Sequence, residues 1–363
     1  MKLIEAFDFC KKSTIKAGEG LEDGLYQFFT SSDTKKLFLN TYTYDCEAVI
    51  LGTGGMPSCN YCCGKFATST DTFVLKAKSD ILPRFLYWFL RYDDFMILAK
   101  GFHGAGLKHI SKEYIANIDL PNLSTTEQEY IIKIFDLCDS MSQSLHTKIL
   151  FYDELVKSRF IELFGEPLTL LESGKTISLE KVFSEITVGF VGEAASSYVK
   201  VGIPYLRTQN VRKGYIDFSG LIYVSEEFHG ANRKSQIKPG DIVVSRVGVN
   251  RGMAAVIPQT LEEANIANCL IIKKEKTVNS EYLAYYLNMS YGLSPKFGAS
   301  VGSAQGVINT AILKKWEVFL PPYSQQEQFA AFVEQTDKSK LAATETLKYL
   351  EELKASLMNK YFG

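Results

Sequence analysis

Between Ser124 and Phe164 apolar or near-apolar residues return in mostly alternating steps of four and three: Ile134, Cys138, Met141, Leu145, Ile149, Tyr152, Val156 and Phe160. That spacing is the seam of a coiled coil and predicts one long helix. Ser124 is a good N-cap, and Glu127 three residues on can close a capping box over the first unpaired backbone N–H groups. A second run holds Phe329, Val333, Thr336, Ala343, Leu347, Leu350, Leu357 and Tyr361 on a comparable track, interrupted by Lys340 and Lys354. Each run, if helical throughout, is about 60 Å long at 1.5 Å per residue.

The two runs are copies. Leu120 to Gly165 and Leu320 to Gly363 both start with Leu-Pro, reach Glu-Gln seven residues on, and close on Phe-Gly. The segments before them repeat as well. Lys2 to Phe7 answers to Ser178 to Phe183, and Gly24 to Phe29 to Gly202 to Arg207. Tyr44 to Gly52 answers to Pro239 to Arg246, and Phe73 to Lys76 to Cys269 to Lys273. The first pair is a short element opening each block, and the second enters a polar loop. The last two read as strands, the third pair running into a glycine-rich loop and the fourth followed by aromatic helices over Phe85 to Leu90 and Tyr282 to Leu287. A second glycine-rich loop comes next in each, 101–109 and 298–306, and then a short last strand, Ile118 to Pro121 or Val318 to Pro321. The order is block, helix, block, helix, with each block a mixed α/β globule.

Total charge says little, since 40 basic residues face 41 acidic ones. Its distribution says more. Ser196 to Met253 carries nine Lys or Arg against four acids, whereas Ser124 to Phe164 carries seven acids against four bases. A basic block on an acidic helix points to the block as the part that meets a polyanion. The first block is balanced. Seven cysteines without a leading apolar segment fit a reducing compartment with free thiols, and a cytoplasmic location is expected. Phe85 to Ala99 is apolar but holds Arg91, Asp93 and Asp94, so it is not expected to span a membrane.

In the second block, IPYLRTQNVRKGYIDFSGLIYVSEE followed by KPGDIVVSRVGVNRG, together with the duplication and the LP-to-EQ helix entries, resembles the specificity subunit of type I restriction-modification enzymes over essentially the full chain. The resemblance implies an α+β fold: two mixed α/β target-recognition domains, residues 1–123 and 166–323, and two spacer helices, 124–165 and 324–363, packed as an antiparallel coiled coil with an internal pseudo-twofold repeat. It implies a non-catalytic chain that reads a bipartite double-stranded DNA target. Two methylation subunits would dock on it, with S-adenosylmethionine on those partners, and restriction subunits that translocate and cleave would join them. The other reading of the residues is a coiled-coil adaptor whose globular blocks bind proteins.

Glycine-rich loops let backbone approach phosphate and leave neighbouring side chains free to reach base edges. In the second block the candidates for DNA contact are Arg207, Gln209, Asn210, Arg246, Asn250, Arg251, Ser303 and Gln305, because Arg can fork onto guanine and Asn or Gln onto adenine. In the first they are Ser31, Ser32, Thr53, Ser58, Asn60, His103, Lys108 and His109, where hydroxyls and amides would have to replace cations. Cys59-Asn60-Tyr61-Cys62-Cys63 looks like half a zinc ribbon, but no second CxxC or spaced His pair completes it. Ser173-Gly174-Lys175-Thr176 has Thr169 where a phosphate-binding loop begins with Gly. Pro321-Pro322-Tyr323 follows Leu320 where an amino-methyltransferase has an amine acceptor. No catalytic constellation is visible, and no cofactor is expected on this chain.

Overall fold

The computed structural model describes residues 1–32, 35–290 and 307–363. The chain divides into two compact units, Met1–Ile149 with Ala342–Gly363, and Leu150–Leu341. The two long helices, Thr125–Phe164 and Tyr323–Phe362, each contribute a part to both units. The expected boundaries at 123/124, 165/166 and 323/324 mark where these helices start and stop. They are not the edges of the compact units, which divide within each long helix, at 149/150 and 341/342.

The capping box forms as the spacing predicts. The Ser124 N–H and Oγ donate to Glu127 Oε2 at 2.8 and 2.7 Å, and the Glu127 N–H donates back to Ser124 Oγ at 3.3 Å. Phe164 ends the helix at Gly165, which takes a left-handed φ of 92° and donates its N–H to Ile161 O at 2.8 Å. Such a terminus favours glycine because a Cβ is strained there.

In the first unit, β1 (Phe7–Phe9), β2 (Tyr26–Phe29), β3 (Leu37–Leu39), β4 (Tyr44–Gly52), β5 (Cys59–Thr68) and β6 (Thr72–Ala77) form one sheet in the order β1-β6-β4-β5-β2-β3. Every pairing is antiparallel except β2 with β5. A two-stranded ribbon, β7 (Phe102–His103) and β8 (His109–Ile110), carries the second glycine-rich loop. The aromatic helix Pro83–Leu90 buries Phe85, Leu86, Trp88 and Phe89 in a core with Val49, Leu51, Leu75, Ile131 and Phe135.

The second unit repeats this plan with one break. Its strands are β9 (Ile177–Ser178), β10 (Ile186–Val188), β11 (Tyr198–Val199), β12 (Ile203–Leu206), β13 (Ile222–Val224), β14 (Gln236–Ile237), β15 (Ile242–Ser245), β16 (Ala254–Val256), β17 (Ala264–Ile266), β18 (Cys269–Ile272) and β19 (Glu317–Val318). They form the sheets β10-β18-β15-β16 and β11-β13-β12-β17-β14, and β9 pairs with β19. In the first unit β5 is long enough to pair β4 with one part of its length and β2, in parallel, with its end. In the second, those two tasks fall to β16, paired with β15, and β17, parallel to β12. Between them lies Pro258, which has no N–H for a ladder, so one sheet becomes two.

The blocks also open alike. The Leu3 N–H donates to Ile118 O at 2.9 Å, and the Leu179 N–H to Trp316 O at 3.0 Å. Each opening segment is thus tied to the stretch that feeds a long helix.

Helix pairing is antiparallel within each unit. In the first, Phe135 stacks on Phe362, Asp139 accepts from Lys354 Nζ at 3.0 Å, and His146 faces Glu351 at 3.9 Å. In the second, Asp153 accepts from Lys340 Nζ at 2.6 Å and Phe160 meets Phe329 with ring centroids 5.4 Å apart. Lys340 and Lys354, which interrupt the apolar track, therefore sit in the seam as ion-pair partners. One register differs from expectation: Ile131 and Phe135 are buried and Met141 is 45 % exposed, so the seam runs through Phe135 and Ser142 rather than Ile134 and Met141.

The Glu-Gln phrase also shifts. Gln128 is buried, accepts the Leu82 N–H at 2.8 Å and donates to Leu123 O at 3.0 Å. Its counterpart is Gln326, which accepts the Asn279 N–H at 2.9 Å and donates to Pro321 O at 2.8 Å. Gln328, the letter-for-letter match, is exposed.

Cys59 to Cys63 lie on β5 rather than in a metal-binding turn. Successive strand residues alternate faces, so Cys59 and Cys62 point to opposite sides of the sheet. Among the described residues no group of three or more His, Cys, Asp or Glu could hold a metal ion, and no helix is long and apolar enough to cross a membrane.

Candidate nucleic-acid interface

The same two loops come together in each unit. In the first, Ser58 Oγ, in the loop after β4, donates to Ser31 O, in the loop after β2, at 2.9 Å. In the second, Asn250 Nδ2, after β15, donates to Thr208 O, after β12, at 3.5 Å. Gly52 makes the first junction possible, since a Cβ there would run into Ser58 Oγ and the Ser31 backbone.

The β7–β8 ribbon joins this corner of the first unit. The Gly55 N–H donates to Lys108 O at 2.9 Å and the Ile110 N–H to Thr53 O at 3.1 Å. His109 Nδ1 lies 3.2 Å from Thr53 O, a contact that needs its proton on that nitrogen. Thr53 and Ser58 are buried, and Ser31 Oγ donates to Asp71 O, so these three build the corner and leave it to others to face a ligand. Their hydroxyls are short and close to the backbone, which is why they are consumed locally. Ser32, His103, Lys108 and His109 are exposed; Asn60 is half-buried on β5 opposite Ile50.

In the second unit the corner is an open groove of about 450 Å³ lined by Tyr198, Tyr205, Arg207, Thr208, Gln209, Arg212, Val249 and Asn268 among others. Asn210 and Asn250 are buried, contrary to the expectation that their amides are free for adenine. Asn210 Oδ1 accepts the Arg207 N–H at 2.9 Å, and its Nδ2 donates to Asp217 O at 2.8 Å and Ser219 O at 3.3 Å. Asn250 Nδ2 donates to Val211 O at 3.1 Å. Side-chain amides that mimic backbone hold such loops in shape.

Arg207 and Gln209 stay at the groove. Arg207 Nη2 donates to Gly220 O at 3.0 Å, while its Nε, like that of Arg246, is buried with no hydrogen-bond partner among the described residues. Burial pushes the Tyr205 hydroxyl up to about 12, so it stays protonated at neutral pH. Arg251 is half-buried. Ser303 and Gln305 fall outside the described residues.

Six of the groove residues named above were not among the candidates: Tyr198, Tyr205, Thr208, Arg212, Val249 and Asn268. Arg212 had a signal, since it follows Arg207 by five residues across an Asn-centred turn. Tyr198 had none, because it lies in a separate strand.

A profile described as "Type I restriction modification DNA specificity domain" matches residues 1–150 and 184–355. The chain is 22 % identical over 359 residues to the type I restriction enzyme MjaVIII specificity subunit of Methanocaldococcus jannaschii, covering 94 % of this chain and 83 % of that protein. Over 150 residues it is 30 % identical to the EcoDI specificity subunit of Escherichia coli, covering 41 % and 33 % of the two chains. The crystal structure of the type I restriction-modification S subunit from M. genitalium shares the fold, with a TM-score of 0.70 at 13 % identity, over 100 % of this chain and 95 % of that one.

Proposed function

This chain belongs to the type I restriction-modification DNA specificity family, and from that premise we propose that each of its two units reads one half of a bipartite duplex target. The observation that carries the reading is the recurrence of one corner, built from equivalent loops, in both units. Two short recognitions on one molecule gain affinity through effective concentration, so neither needs to be strong alone. In the second unit Arg207, Gln209 and the groove around them face the bases or phosphates. In the first, Ser32, His103, Lys108 and His109 do.

The long helices set the gap between half-sites and carry two methylation subunits, to which restriction subunits are added. S-adenosylmethionine sits on the methylation subunits, and this chain supplies specificity without catalysis. Leu320 in place of an amine acceptor supports that division. An adaptor that binds only proteins is disfavoured by family membership.

The test exchanges residues 196–303 for those of a relative and selects targets from a random duplex library with the chain bound to its cognate methylation subunits. One half-sequence should change and the other should stay. If both stay, readout lies elsewhere; if the enriched sequences vanish at raised salt for the parent chain too, only the phosphate contribution was present. In a second experiment, one heptad is added to each helix, between Ser142 and Thr147 and between Lys348 and Glu351. The tolerated gap should lengthen with both half-sequences intact, and a changed half-sequence contradicts the division of labour.

A further inference from the structure

We propose that Arg212 is a specificity-determining residue of the second unit, presenting the free end of its guanidinium to a guanine in the half-site read there. The assignment rests on the two-half reading above and adds to it a residue, a base and a geometry.

Arg212 has more donors than its neighbours use. A guanidinium has five N–H groups in one plane. Arg212 Nε and Nη2 lie 3.4 and 3.3 Å from Asp217 Oδ2, and Nη1 lies 3.5 Å from Asn250 Oδ1. Those contacts account for three hydrogens and leave one on each terminal nitrogen. With the Asn250 contact made by the Nη1 hydrogen on the Cδ side, the remaining pair forms a fork at the end of the guanidinium, and Arg212 lines the groove. Guanine presents O6 and N7 as two acceptors in one plane on its major-groove edge, which matches a fork; two oxygens of one phosphate match a fork as well, and the experiment below separates base from backbone.

The holders are themselves held. Asp217 Oδ1 accepts from Ser219 Oγ at 2.6 Å and from the Ser219 N–H at 2.9 Å, which leaves Oδ2 for Arg212. The Ser219 hydroxyl and N–H, and then Arg212, hold the Asp217 carboxyl below its usual range, so it stays charged. Asn250 is buried and anchored through Nδ2 to Val211 O, so its Oδ1 has a fixed position. Gly192 and Gly248 add no side chains to the groove wall, while Tyr198 and Val249 offer apolar surface beside the fork. That apolar surface suits the face of a base rather than a charged phosphate.

The experiment uses the full chain with its methylation subunits and a random duplex library, followed by affinity measurements on the enriched target. Each guanine in the second unit's half-site is replaced in turn by 7-deazaguanine, which lacks the N7 acceptor. For the parent chain one replacement should weaken binding by roughly 2- to 12-fold, since it removes one of the two hydrogen bonds of a bidentate base contact. Arg212→Met, which removes both the fork and the charge, should weaken the natural target by roughly 5- to 150-fold and then be indifferent to that same replacement. The other bases of the second unit's half-site should still be read, which shows that the unit carrying the variant is folded.

Three results overturn the assignment alone. They are a second-unit half-site with no guanine on either strand, a 7-deazaguanine penalty that survives in Arg212→Met, and a loss in Arg212→Met equal across all sequences with a salt dependence shallower by about one unit, the mark of a phosphate contact. A half-sequence that fails to follow residues 196–303 in the exchange removes the premise instead.

Discussion

Phe160→Ala should destabilise the second unit by about 3–5 kcal/mol, the range for deleting a buried aromatic ring. Phe160 is fully buried, and its ring centroid lies 5.0–6.2 Å from those of Phe164, Tyr282, Tyr285, Tyr286 and Phe329. Those neighbours come from both long helices and from the aromatic helix Ser280–Ser290, so one truncation loosens three elements at once. Urea unfolding of the pure chain measures the loss. Phe151→Ala on the same helix is the control, since Phe151 is 62 % exposed and its removal should stay within about 0.5 kcal/mol. Equal shifts for the two variants would mean that the aromatic cluster is not a cohesive core.

The second large effect separates two alignments of the repeat. Gln326→Ala leaves the Asn279 N–H and the Pro321 carbonyl without their partner in a buried setting, at about 1–3 kcal/mol for each group left unsatisfied. Gln328→Ala removes an exposed side chain and should cost under about 0.5 kcal/mol. Unfolding curves that reversed this order would restore the letter-for-letter match of Gln128 with Gln328. The amide works as a staple between a long helix and the entry to an aromatic helix, in both units.

Those two residues of offset show how far the sequence could be read. Helix existence, the Ser124 cap, the duplication and the strands around Tyr44–Gly52 and Cys269–Ile272 were legible, because periodicity and capping act over neighbouring residues. The seam register was not. Ser142 and the two lysines occupy positions that apolar letters should fill, while Met141 turns outward, and only the facing helix decides which is used. Nor could the letters show that Pro258 divides one long strand's work between β16 and β17.

The site was read less well than the fold. Asn210 and Asn250 carry the right groups for adenine, yet their amides bond to carbonyls of residues that fold back from seven to 42 positions away in the chain. Thr53 and Ser58 are likewise drawn inward. The turn that hides Asn210 brings Arg212 to the groove, so loop closure decided both the loss and the gain. Residue type in a polar loop proposes a contact; backbone closure chooses which side chains remain to make it.

The first unit draws on both ends of the chain, whereas the second is continuous from Leu150 to Leu341. Phe362 packs against Phe85, Phe89, Tyr92 and Phe135, so the core begun at Leu3 is finished by residues that leave the ribosome more than 200 positions later. During synthesis the later block has all its own pieces first, and the earlier one waits with an open aromatic cleft that a nascent chain must keep from aggregating. A premature stop after about residue 341 would therefore injure the beginning of the protein and spare its middle.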